Sequence, residues 1–308
     1  MRISTANAFE SSVNNLQRRQ AQLSTAQQQL TSGKRVLKAS DDPAAAATAE
    51  RALAAEARAV SQQRALDASR NALQLGEGAL GEAGEILQQA RELMVSAGNG
   101  SYSDADRSTI ADALQGLRKD LLAVANRSDG AGRYLFGGQG SATAPLRDTA
   151  AGVVFDGVSG QLDAASGESS ALSLDGRAAW LQAPDPANPG ATLSVFDALD
   201  RAVTALRTPG RSSAQITQNV TTGLAQIDAG AANLSSWRAR TGEALKRADS
   251  IEGRLSQAKL DAQRERSAAE DLDMVSAISD FQTKQTGYDA ALKTYAQVQH
   301  MSLFDFIK

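Results

Sequence analysis

Cysteine is absent from the chain. Disulfides, thiolate zinc sites and cysteine nucleophiles are excluded together, although that alone decides no compartment. Histidine occurs once, as His300, which excludes the H-E-x-x-H zinc hydrolases and every motif that needs two imidazoles; His300 itself reads as a surface or packing residue. Aromatic residues make up 4% of a chain that is 42% hydrophobic, and much of that apolar share is alanine. Alanine with Leu, Gln, Glu and Arg favours helix and buries little area per residue, which suits long narrow helical packing rather than a thick globular core. No apolar run approaches the roughly 20 residues of a membrane-spanning helix, so no membrane partner is expected. A formal charge of -3 and a pI near 5.4 lack the basic excess of a phosphate-binding face, which argues against nucleic acid. The opening M-R-I-S-T-A-N-A-F-E carries one Arg and no apolar core, and no cleaved secretory signal is expected.

What the chain does have is helical period. Phe9, Val13, Leu16, Leu23 and Leu30 alternate steps of three and four, with Gln20 and Gln27 in the missing places, as in a coiled-coil seam. With Ile3 these are six large apolar residues in the first thirty, too few to order so long a helix alone. The segment is expected to be largely disordered in the free monomer and to become helical against partners. The run L-T-S-G-K-R-V-L-K-A-S-D-D-P, Leu30 to Pro43, is then a stop followed by a start. Gly33 can adopt the left-handed conformation that ends a helix, and Lys34, Arg35 and Lys38 sit where its dipole favours cations. Asp41 or Asp42 can cap the next helix, with Pro43 at its first position.

From Pro43 to about Ala97 the seam runs through Leu66, Ser69, Leu73, Gly76, Leu80, Ala83, Leu87, Ala90, Met94 and Ala97, its small residues allowing close approach. Gly98-Asn99-Gly100 stops it. Ser103 and Asp106 form a capping box for a helix carrying Ile110, Leu114, Leu117, Leu121 and Val124, antiparallel to the one before. The run D-G-A-G-R-Y-L-F-G-G-Q-G from Asp129 reads as a short strand or turn; its glycines lack the Lys-Ser/Thr of a phosphate loop. Residues 140–192 alternate short apolar pieces, around Val153, Leu172 and Trp180, with Gly, Ser and Asp, and end in P-D-P-A-N-P-G, which reads as a small β-rich insertion. Ser194 with Asp197 opens a short helix, and Ser212 with Gln215 caps a long one whose seam runs unbroken by proline from Ile216 to Ala262. Its length matches that of the helix from Pro43, so the two are expected to form one antiparallel spine. Val275, Ile278, Phe281, Tyr288, Leu292, Tyr295 and Val298 repeat the seam, and Leu303, Phe304, Phe306 and Ile307 make an apolar tail that calls for cover by another subunit.

The fold class expected is mainly α, an elongated antiparallel helical bundle or coiled coil built from both chain ends, with a small β-rich domain inserted at the tip. Its divisions are a terminal helix and hinge (1–42), two halves of a helical rod (43–139 and 193–266), the insertion (140–192) and a second terminal helix (267–308). No paired carboxylates, nucleophile–base pair or metal-ligand spacing is present, so no enzyme, cofactor or metal is expected. Seams without a sufficient partner in their own chain are a polymerisation device: identical subunits meeting head to tail build rings or tubes. The seam and tail residues named at both ends are the candidate interface, with Gly33, Asp41, Asp42 and Pro43 as its hinge.

Four stretches carry a resemblance: L-T-S-G-K-R-V-L-K-A-S-D-D-P-A-A, R-E-L-M-V-S-A-G-N-G-S-Y-S-D-A-D-R from Arg91, G-R-Y-L-F-G-G from Gly132, and S-A-A-E-D-L-D through Y-D-A-A-L to S-L-F-D-F-I. Together they resemble the flagellin family over about residues 1–140 and 200–308. The opening M-R-I-S-T, the D-D-P in place of the filament subunit's usual D-D-A-A-G, and G-R-Y-L-F-G-G are similar to the member that joins hook to filament. That resemblance implies a non-enzymatic adaptor of the bacterial flagellum, stacked on hook-associated protein 1, templating flagellin and touching copies of itself. It also implies export through the flagellar type III apparatus with a chaperone on Val275 to Lys308. Filament flagellin itself is the alternative, and a secreted coiled-coil effector or adhesin, binding through the insertion, a second.

Overall fold

A computed structural model describes residues 2–130, 132–140, 142–163 and 171–304. The mainly α class with a small β part is what composition predicts. The chain divides into two compact units, a terminal one of Met1–Ala59 with Ser256–Lys308 and a central one of Val60–Leu255. Two helices, α2 (Pro43–Ala97, 55 residues) and α6 (Ser213–Glu270, 58 residues), contribute to both, and their lengths match as expected.

In the central unit, α2 and α6 run antiparallel: Arg91 Nε reaches Asp228 at 2.9 Å, Arg238 Nε reaches Glu77 at 2.6 Å, and Arg70 holds Asp249 at 2.9 Å. Helix α3 (Asp104–Ala125) starts at a true capping box of Ser103 and Asp106 and folds back along α2, Arg127 meeting Glu82 at 2.7 Å. Helix α5 (Val195–Arg207), capped by Ser194, packs on α3. Arg118 of α3, itself buried, forks onto Asp148 at 2.7 and 2.8 Å and reaches Asp200 of α5 at 2.7 Å. Leu80, Leu87, Met94, Leu114, Leu121, Ile227 and Leu234 fill the space between these helices. Glycine matters at α6's Gly223, where a Cβ would come within 2.6 Å of Met94 Cε.

The β-rich part consists of two antiparallel pairs. Strand β1 (Leu146–Thr149) pairs with β2 (Gly152–Phe155) in the register Leu146 to Phe155, and β3 (Ala183–Pro184) with β4 (Thr192–Leu193). The stretch around Trp180 is not extended: Asp175 caps a short helix, α4 (Gly176–Trp180), whose aromatic end enters the core. Nor does this part sit at the tip of the α2–α6 hairpin. It lies along the hairpin's flank, where Ser69 Oγ donates to Ala171 O at 2.6 Å, Leu174 covers Gly76, and Asn233 Nδ2 donates to Ala179 O at 2.7 Å. The small seam residues Ser69 and Gly76 therefore make room for the β-rich part. Phe136, Trp180 and Phe196 anchor it there: they are fully buried, with ring centroids 5.1 and 6.2 Å apart, in the same core as Leu80, Leu87 and Leu234 of the hairpin.

Candidate assembly interface

The terminal unit is built from α1 (Arg2–Ser32), α7 (Met274–Phe304) and the adjoining ends of α2 and α6. Helices α1 and α7 pair antiparallel. The Phe9 and Tyr295 rings lie 5.6 Å apart, a Cβ at Gly287 would come within 2.8 Å of Arg19 Nη1, and Leu272 N–H donates to Gly33 O at 2.9 Å. On α1 the expected seam turns inward: Val13, Leu16, Leu23 and Leu30 are half-buried and Ala26 is buried, while Phe9 stays 46% exposed.

On α7 the expected single seam separates into two faces. Ala277, Phe281, Tyr288, Ala291 and Tyr295 are half-buried, at the three-and-four spacing of a helix pair. Leu292, Ile278 and Val275 step progressively round the helix from that face and are 41%, 46% and 81% exposed. The side chains of Val298, Leu303 and Phe304, and the residues Phe306 and Ile307, lie outside what the structure describes.

The hinge residues stand where their chemistry requires. Gly33 has φ +70° and ends α1, its N–H donating to Gln29 O at 2.9 Å. Asp41 and Asp42 divide the capping work: Asp41 Oδ2 accepts from the N–H groups of Leu37 and Lys38 at 3.1 and 2.9 Å, closing the linker, while Asp42 Oδ1 accepts from Ala45 N–H at 3.0 Å and caps α2 ahead of Pro43. The Ala45 N–H and the Arg35 guanidinium hold the Asp42 carboxyl below its ordinary range. Lys34 and Arg35 do not serve the end of α1 as the dipole argument expects. They cross to the end of α6, where Lys34 Nζ meets Glu270 Oε2 at 3.0 Å and Arg35 Nη2 donates to Ala269 O at 2.8 Å.

This crossing joins the two linkers. Lys34 and Asp271 form an antiparallel bridge, and Arg35 N–H donates to Glu270 O at 2.7 Å. Across α2 and α6, Glu56 accepts from Gln263 at 2.6 Å and Arg266 at 3.0 Å. Asp273 caps α7 and is held below the ordinary carboxylate range by the Ser276 hydroxyl and the N–H groups of Ser276 and Val275. The pattern D-x-x-S ahead of an apolar-periodic run could have revealed that cap. The reach of Arg35 to the end of α6 could not be read, because Ala269 lies 234 positions away along the chain.

Displaced carboxyls elsewhere belong to caps and ion pairs. Asp106 is lowered by Ser103, Asp148 by Arg118 and Asp156 by Arg147. Asp197, inside the first turn of α5, moves up because it is buried and faces Asp200. Among the described residues no group of His, Cys, Asp and Glu is arranged to hold a metal ion.

Two family models match the chain: the bacterial flagellin N-terminal helical region over residues 3–141 and the bacterial flagellin C-terminal helical region over residues 224–307. Flagellar hook-associated protein 3 of Escherichia coli K12 is 30% identical over 235 residues, 72% of this chain and 73% of that protein. Its namesake from Salmonella typhimurium LT2 is 32% identical over 232 residues, 71% of this chain and 72% of that one. A solved putative flagellar hook-associated protein from Vibrio parahaemolyticus shares the fold at a TM-score of 0.64 and 22% identity, over 75% of this chain and all of the other.

Proposed function

The chain belongs to the bacterial flagellin family, within its hook-associated protein 3 group, and on that footing we propose that it is the structural adaptor on which the flagellar filament starts. Hook-associated protein 1 lies on its hook side, flagellin on the other, and further copies of this chain beside it in the tube. The observation that carries this reading is the uncovered edge of α7, where Val275, Ile278 and Leu292 stay exposed beside a face already filled by α1. An apolar edge of this kind gains by packing on a neighbouring subunit.

Residues 1–42 and 267–308 are then the tube-forming segments, 43–139 and 193–266 the helical halves behind them, and 140–192 the outer insertion. The task is mechanical rather than enzymatic. Segments that gain order mainly by burying their stripes in neighbours also suit passage in an unfolded state through the flagellar export apparatus, with a chaperone on Val275 to Lys308. The site of action is the bacterial flagellum, outside the cell.

Cells deleted for the gene test the proposal, by imaging their hooks while assaying the medium for flagellin. Bare hooks with flagellin shed as monomer are the expected result. Disappearance of the major filament protein from cells and medium alike would instead make this chain the filament subunit.

A further inference from the structure

We infer that Arg35, which belongs to no apolar stripe, is the positioning residue that fixes how the α1–α7 pair leaves the α2–α6 pair within the terminal unit. Its contacts fall on three helix ends. Gln29 Nε2, in the last turns of α1, donates to Arg35 O at 2.7 Å. Nη1 meets Asp42 Oδ2, the cap of α2, at 3.1 Å. The main-chain N–H and Nη2 donate to Glu270 O and Ala269 O, the last two carbonyls of α6, at 2.7 and 2.8 Å. One planar fork thus holds the start of α2 and the end of α6 at once, and the flanking bridge between Lys34 and Asp271 carries that constraint to α7.

Beside it, Gly33 at φ +70° is a permissive link that would otherwise leave the exit angle loose. Arg35 and Asp42 are both partly exposed, so their ion pair adds little to stability, and its loss changes orientation rather than folding. Lysine supplies the charge without the fork and reaches only one acceptor. The consequence for assembly rests on the adaptor reading: copies repeated around a tube share one geometry, so a loose exit angle keeps a subunit from fitting its neighbours.

The absence of native cysteine allows a direct test with a Lys34→Cys/Asp271→Cys pair placed at the bridge. In the purified full chain the disulfide should close about tenfold more slowly once Arg35→Gln is added, the size expected for losing a charge-assisted hydrogen bond, with Arg35→Lys between the two. Equal closure rates in all three backgrounds, or no closure in any, overturn the inference. In cells, Arg35→Gln should abolish incorporation into the organelle, and oxidising the cysteine pair after export should restore it, while the pair with Arg35 intact incorporates normally. Normal incorporation of Arg35→Gln, failure of the closed disulfide to rescue it, or loss of incorporation with Arg35 intact also overturns it. The closure rates do not depend on the adaptor reading, so filaments persisting in gene-deleted cells would sink that reading and leave this measurement standing.

Discussion

The two units bury different kinds of side chain. In the central unit Trp180, Phe136, Phe196, Leu114, Leu121, Met94 and Leu234 are almost wholly removed from water. Among described residues of the terminal unit the buried apolar set is Ala26, Val36, Ala49, Ala52, Ala59, Ala262 and Ala269, with Val36 the largest. The large apolar residues of that unit are there, but half-buried or exposed, as at Phe9, Phe281, Leu292 and Val275. Buried area carries most of the favourable free energy of folding, so within the chain the central unit gains more of it than the terminal unit does. Composition alone hides this, since both units are rich in alanine helices; the aromatic trio and the β-rich flank make the difference.

The comparison can be broken most sharply at α7. Leu292→Asp and Tyr295→Asp should each abolish incorporation, seen as non-motile cells with bare hooks, while thermal unfolding of the central unit stays unchanged. Normal motility in both would remove assembly from this helix. Next in size, Phe196→Ala should cost the central unit about 3–5 kcal/mol in urea unfolding, since it empties a fully buried aromatic site. A much smaller loss would mean that the central core is no better packed than the termini.

Amide exchange on the monomer sharpens the contrast further: the first thirty residues should exchange fast while α3 and α5 stay protected, and protection throughout α1 would make the terminal unit self-sufficient. The smallest effect is on pH. Asp42 and Asp273 have folded pKa values below the ordinary 3.8, so their caps contribute fully above that value and lose their contribution as pH falls through the folded values. Protection at the start of α7, taken relative to the intrinsic exchange rate at each pH, should therefore fall in acid, and Asp273→Asn, which keeps the cap but not the charge, should flatten that dependence.

Much of this was legible in advance, because the determining interactions are local. Ser103 with Asp106, Ser194 ahead of α5, Ser212 with Gln215, Gly33 at the end of α1 and Pro43 opening α2 all depend on residues a few positions apart, and each stands where its pattern predicts. The period of the seams and their matched lengths likewise gave the long helices and the antiparallel pairing of α2 with α6. What periodicity could not give was which side of a helix meets which neighbour. It merged Phe281, Tyr288 and Tyr295 with Val275, Ile278 and Leu292 because both sets approximate a step of three or four. It placed the β-rich part at the tip because a sequence does not show where an aromatic cluster will find apolar surface.

By itself, then, the order of residues determined the helices, their stops and caps, the family and the absence of the cysteine and paired-histidine chemistries, all consequences of local geometry or of residue types present or missing. Only the tertiary structure decided that Ser69 and Gly76 seat the β-rich part, that α7 carries a half-buried face beside an exposed one, and that Arg35 crosses from the linker after α1 to the end of α6. Those outcomes rest on contacts between groups up to more than two hundred positions apart, which form wherever buried area and satisfied hydrogen bonds are greatest and leave no trace in local pattern.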